Sequence, residues 1–114
     1  MPDFNEMLSQ DPFAMPQNEK DEWYCELQKE LTLFHYQRCA PYKNIIDRFL
    51  SKPDNNSSIS DMPFLPARLF KSFDMKSTDD TAISRVLTSS GTSGKGTSRI
   101  HLDRKAIFLQ SRVL

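Results

Sequence analysis

Val86-Leu87-Thr88-Ser89-Ser90-Gly91-Thr92-Ser93-Gly94-Lys95-Gly96-Thr97-Ser98-Arg99-Ile100-His101-Leu102 decides how this chain reads. Its centre, Thr88 to Ser98, contains only Ser, Thr, Gly and Lys. All three glycines of the chain, Gly91, Gly94 and Gly96, fall there. Glycine reaches backbone angles closed to other residues, so successive N–H groups can turn to one side. Hydroxyls add donors that rotate to fit. Such a loop suits an anion, above all the phosphates of a nucleotide. Ala82-Ile83-Ser84-Arg85-Val86-Leu87-Thr88 before it is rich in strand formers. Ser98 to Leu102 after it alternates strictly. The loop therefore joins two strands, which argues against a flexible Gly/Ser linker.

Two familiar phosphate motifs do not fit. A Walker loop needs Gly, four residues, then Gly-Lys-Ser/Thr. Here Ser89 stands at the first glycine and Gly96 at the hydroxyl. The dinucleotide fingerprint fails on spacing, and both motifs lead into a helix rather than a strand.

Outward from the loop, Asp103 begins a helix as its N-cap, with Ala106, Leu109 and Val113 as an apolar stripe. No glycine, asparagine or proline stops it, so the sequence is expected to be incomplete at its C-terminus. Upstream, Pro63 and Pro66 impose an extended path, after which Leu69 and Phe70 turn inward. Residues 74–80, with Lys76 and Asp79-Asp80, read as an exposed turn and not as a metal site.

The first half is helical. Asn18 is expected to cap a long helix whose buried face is Trp23, Leu27, Leu31 and Phe34, widened by Leu33 and Tyr36. It ends near Arg38 to Ala40, ahead of Pro41. A second helix follows from Pro41, with Tyr42, Ile45, Ile46 and Phe49 at helical spacing, and ends before Lys52-Pro53. The two read as an antiparallel pair with a tight corner. Asp54 to Ser58 is a polar loop. Residues 1–17 read as a loosely ordered arm with one helical turn, and residues 18–114 as the domain proper.

Composition sets outer bounds. The 114 residues allow one small domain. Fifteen basic residues balance fifteen acidic ones, which disfavours a dedicated nucleic-acid binder. No apolar run approaches the roughly 20 residues that span a bilayer. Cys25 and Cys39 are too few for a disulfide framework or a zinc site, so a cytoplasmic setting is the default. Both read as ordinary half-buried thiols. His35 reads as solvated or hydrogen-bonded. His101 reads as facing away from Ile100 and Leu102, toward solvent or the loop. Arg68 and Lys71 read as surface charges.

Ser89-Ser90-Gly91-Thr92-Ser93-Gly94 resembles the phosphate loop of the adenylate-forming superfamily. With Leu65-Pro66-Ala67-Arg68-Leu69-Phe70-Lys71 upstream and Ser98 to Arg104 downstream, residues 62–114 look like the LuxE-type acyl-protein synthetases. The wider superfamily continues Gly-x-Pro-Lys. Gly96 and Thr97 replace that proline and lysine here, and Lys95 falls on the variable position. The resemblance implies an α/β fold, in which an N-terminal helical pair leads into the first β-hairpin and helix of an adenylate-forming large domain, truncated. It implies ATP- and Mg²⁺-dependent activation of a fatty acid as acyl-adenylate, then transfer to a protein cysteine. It also implies acyl-transferase and fatty-acid reductase proteins as partners, in bioluminescence-related chemistry. Ser89, Ser90, Gly91, Thr92, Ser93, Gly94 and Lys95 would bind the nucleotide. No catalytic residue is assigned, and neither Cys25 nor Cys39 matches the acyl-accepting cysteine. The chain alone is expected to lack ligase activity. An aryl- or acyl-CoA ligase fragment and a non-catalytic binding module are the alternatives.

Overall fold

The first half of the chain folds around a corner. In the computed structural model, which describes residues 2–89 and 96–113, α2 (Gln17–Arg38) and α3 (Ala40–Phe49) are separated by Cys39 alone. Cys39 is extended, with φ −117° and ψ 101°, yet its amide still closes α2 on His35 O at 2.8 Å. Its carbonyl accepts from Lys43 N at 2.9 Å and opens α3. Pro41 sits in the first turn of α3, where a missing N–H costs nothing. Ile46, 1% exposed, is pressed between the helices with Thr32 and Cys39. The Thr32 hydroxyl is satisfied inside α2 by donating to Gln28 O at 2.8 Å. Tyr36 donates to Asp47 Oδ1 at 2.6 Å and ties the two helices at their surface.

Several sequence expectations shift here. α2 starts at Gln17 with Pro16 as N-cap, so Asn18 lies inside the first turn rather than capping it. Pro16 O accepts Lys20 N at 2.9 Å, and a backbone acceptor needs no side-chain cap. Trp23 and Leu33 remain 40% and 43% exposed, because apolar residues spread around α2 instead of forming one stripe. Phe49 is 76% exposed, since α3 ends before its last turn meets a neighbour.

α1 (Phe4–Ser9) precedes the pair, capped by the Asp3 carboxylate, which accepts from Asn5 N at 2.9 Å. After α3, a 3₁₀ turn at Ile59–Asp61 carries a reciprocal capping box between Ser58 and Asp61. Leu69 and Phe70, expected only to turn inward, open a short helix, α4 (Leu69–Ser72), and a second 3₁₀ turn at Asp80–Ala82 leads into the sheet.

β1 (Ile83–Thr88) and β2 (Arg99–Asp103) pair antiparallel, with Arg85 opposite Leu102, Val86 opposite His101 and Thr88 opposite Arg99. A register shift between Ile83 and Arg85 leaves an extra residue on β1, as in a bulge. α5 (Arg104–Val113) follows β2 directly. Asp103 accepts Ala106 N at 2.7 Å, as a helix N-cap should. Arg112 reaches α1 and donates to Asn5 Oδ1 at 3.1 Å.

Among the described residues only Thr32, Cys39, Ile46 and Leu102 are buried. The radius of gyration, 15.8 Å, exceeds the roughly 13 Å typical of a packed domain of this size. The core is thin, and most contact is between neighbouring elements. No helix among the described residues is long and apolar enough to cross a membrane.

Candidate functional site

The hairpin is closed where the hydroxyl-rich segment begins and ends. Ser89 N donates to Ser98 O at 3.2 Å, and Ser98 N donates to Ser89 Oγ at 3.0 Å. The ladder is thus extended past both strands, and the backbone between these two serines is closed at its base. Ser89 is exposed, and its hydroxyl proton is still available for a further acceptor. Gly96 has φ +87°, a region L side chains rarely adopt. No described atom lies within 4 Å of where its Cβ would stand, so the backbone angle, not crowding, calls for glycine. Of the expected nucleotide-binding residues, Ser89 is described. Ser90, Gly91, Thr92, Ser93, Gly94 and Lys95 lie outside the described residues. Among the described residues no group of three His, Cys, Asp or Glu side chains could hold a metal ion.

Next to this closure, one face of β2 meets the segment after α4. Arg99 donates to Asp74 Oδ1 twice, from Nε at 3.1 Å and Nη2 at 2.9 Å. These bonds, then the guanidinium charge, hold the Asp74 carboxyl below the usual carboxylate range, with smaller help from Lys76 and His101. Lys76 is in turn paired with Asp80. His101, two residues along the same face, lies 3.6 Å from Asp74 Oδ1. That is too far for a hydrogen bond. Its side chain is only 10% exposed, and both ring nitrogens are buried without a hydrogen-bond partner. Of the two positions expected for it, toward solvent or toward the loop, this overturns the first. The segment 74–78 folds over the face that alternation alone leaves open. Burying a polar group without a partner typically costs about 1–3 kcal/mol, so the position asks for an explanation.

His101 lines a groove of about 730 Å³ between the helical pair and the hairpin. Phe34, Tyr42, Leu65, Phe70 and Leu109 supply apolar wall. His35 also lines it, bonded to Ser77 Oγ at 2.7 Å, with burial pushing its imidazole below its ordinary pKa. This agrees with its reading as a hydrogen-bonded histidine. Burial also pushes the Tyr42 phenol up. Cys39 lines the groove but is buried at 3% exposure, deeper than expected. Cys25 is half-buried and donates to Ser57 O at 3.3 Å. The sequence alone does not show the groove, because its walls come from α1, α2, α3, α4 with the segments on either side of it, β2 and α5. No local pattern joins those elements. The one available signal was Arg99 and His101 at i and i+2, two polar residues on one strand face.

A family model described as "Acyl-protein synthetase, LuxE" matches residues 3–114. The "Long-chain-fatty-acid--luciferin-component ligase" of Photorhabdus luminescens is 27% identical over 88 residues, covering 77% of this chain and 75% of that one. No solved structure matches.

Proposed function

The chain belongs to the LuxE acyl-protein synthetase family, and from that membership we propose that it takes part in ATP-dependent activation of a long-chain fatty acid. The product would be an acyl-adenylate with release of pyrophosphate, followed by transfer of the acyl group to a protein cysteine. The similarity to a fatty-acid ligase supports the substrate class. A cytoplasmic setting, with acyl-transferase and reductase proteins as partners, belongs to the same proposal.

The observation that carries it is the closed base of the hairpin, Ser89 against Ser98 on both sides of the glycine-rich segment. A linker would have no reason to be clamped there. In this reading Ser89, Ser90, Gly91, Thr92, Ser93, Gly94 and Lys95 hold the β- and γ-phosphates. The loop's amides and hydroxyls orient the triphosphate for attack of the carboxylate on the α-phosphorus. They also spread the charge of the departing pyrophosphate. When bound, Mg²⁺ neutralises part of the phosphate charge.

Titrating the chain with Mg²⁺ and a nonhydrolysable ATP analogue tests this. Saturable binding is expected, weakened at least tenfold in Gly91→Val and Gly94→Val. A folded chain that shows no saturable binding, or binding untouched by both substitutions, overturns the proposal.

A further inference from the structure

α5 is a basic helix with an open side. It holds three cations, Arg104, Lys105 and Arg112, and no acid. Arg104, Phe108 and Arg112 recur at every fourth residue and share one face, and all three are exposed, Phe108 at 57%. Two of the cations stand in the first turn, where the helix dipole favours acids, so the stability of α5 does not call for them. A second groove, of about 660 Å³, runs between α1 and α2, with apolar wall from Phe4, Met7, Trp23 and Leu33. Five carboxylates line it, Asp3, Glu6, Glu26, Glu30 and Asp54, against one ammonium, Lys29. We infer that this groove receives α5 from a second copy of the chain, with Phe108 on the apolar wall and Arg104 and Arg112 against the carboxylates.

Charge complementarity carries the argument. The chain is neutral overall, fifteen basic residues against fifteen acidic, yet these two surfaces have opposite signs. Lys29 holds Glu26 at 2.9 Å and so answers one of the five carboxylates. Asp3 and Asp54 accept the backbone N–H groups of Asn5 and Asn56, which leaves their charge in place. On the helix side, no carboxylate among the described residues pairs with Arg104, Lys105 or Arg112. A guanidinium meets a carboxylate with two parallel hydrogen bonds, the strongest of the ordinary charged contacts. Arginine and aromatic side chains are also what protein interfaces concentrate at their centres. Such a contact would cover Trp23 and Leu33, which are 40% and 43% exposed in the single chain.

The chain's own α5 does not fill the groove. It reaches α1 through Arg112 and Asn5, and neither residue lines the groove. An anionic membrane surface would take the basic stripe of α5 and leave the acidic groove unanswered. A basic peptide would do the opposite. A second copy answers both, and answers both twice when the exchange is reciprocal, as in a closed two-fold dimer.

Sedimentation equilibrium and tryptophan emission test this together, because Trp23 is the only tryptophan of the chain and lines the groove. With the chain at about 0.1 mM, a mass approaching twice 13.2 kDa and a blue-shifted emission are expected at about 0.05 M salt, and both should retreat toward the monomer at about 0.5 M salt. Phe108→Ala should weaken association about tenfold. Arg104→Glu with Arg112→Glu, on the helix, should weaken it further, as should Glu6→Lys with Glu26→Lys, on the groove. The deciding step mixes these two charge-reversed chains one to one. Each alone sets like charge against like charge. In the mixture the acidic helix meets the basic groove and the native helix meets the native groove, so the mixed dimer is expected to recover. Should either double variant fail to fold, Arg104→Glu and Glu6→Lys take their places. A parent chain that stays monomeric at low salt overturns the inference. So does association that survives both reversals, or a mixture of folded variants that recovers nothing. A monomer that binds anionic phospholipid vesicles through Arg104 and Arg112 would assign the helix to a membrane surface and overturn it as well. None of these outcomes touches the glycine-rich loop, so the titration with the ATP analogue stands or falls by itself.

Discussion

The helical pair and the hairpin with its following helix solve the problem of stability differently. α2 and α3 bury Thr32, Cys39 and Ile46 against each other through a single-residue corner. The unit of β1, β2 and α5 buries Leu102, while Val86, Leu87 and Ile100 each stay more than two-fifths exposed. A two-stranded sheet is marginal on its own and needs a helix or further strands against it. Yet the hairpin carries the Ser89–Ser98 closure, the Arg99–Asp74 fork and His101. Packing is concentrated in one half and candidate chemistry in the other. Substitutions should therefore hurt folding in the first half and binding in the second, and the segment that leads into β1 makes a seam with the helical pair, where Ser77 bonds His35 of α2.

The sharpest way to break this contrast is to empty the centre of each half. Ile46→Ala removes a side chain that is 1% exposed. Such deletions cost about 2–5 kcal/mol. With so few buried residues the chain should lose its cooperative urea transition altogether. Leu102→Ala, at 6% exposure, should be milder and leave a folded helical pair visible by far-UV circular dichroism. Equal losses in the two variants, or a larger one for Leu102→Ala, would show that the hairpin half bears the fold and the contrast is wrong.

A smaller effect sharpens it. Asp103→Ala removes the carboxylate that accepts Ala106 N at 2.7 Å, the only side-chain cap described at the start of α5. Loss of an N-cap costs about 0.5–2 kcal/mol. The expected outcome is faster amide exchange along α5 and β2, with exchange in α2 and α3 unchanged. Protection lost equally in all four would mean the two halves unfold as one unit.

The same contrast governs what could be read in the sequence. The strands were legible at 82–88 and 98–102 against the observed Ile83–Thr88 and Arg99–Asp103, because local alternation and turn chemistry define a hairpin. The Asp103 cap and the break before Pro41 were legible for similar local reasons. Trp23, Leu33 and Phe49 were misplaced because helical spacing says which residues could face a partner, not whether one arrives. His101 was misplaced by the same limit in reverse. Asp74, which lies against it, is 27 residues upstream in the chain, and the segment 74–78 covers the face that alternation assigned to solvent. The glycine-rich loop was conspicuous by composition. The groove was invisible because it belongs to tertiary structure alone.

The seam itself should respond to acid, and this is the smallest effect expected. Burial lowers the imidazole pKa of His35 from its ordinary 6.5. Below that value the unfolded chain takes up a proton that the folded chain resists. The stabilising contribution is therefore complete above about pH 6.5 and falls away as pH drops through the unfolded value toward the folded one. The lowered carboxyls of Asp47, Asp61 and Asp74 start from 3.8, so their loss belongs to a separate, more acidic window. Thermal midpoints measured between about pH 7.5 and pH 5 should thus decline in the parent chain and run flatter in His35→Gln, which can still bond Ser77. Parallel slopes in the two proteins would mean that the seam opens too readily for burial at His35 to count, and that the two halves are held together elsewhere.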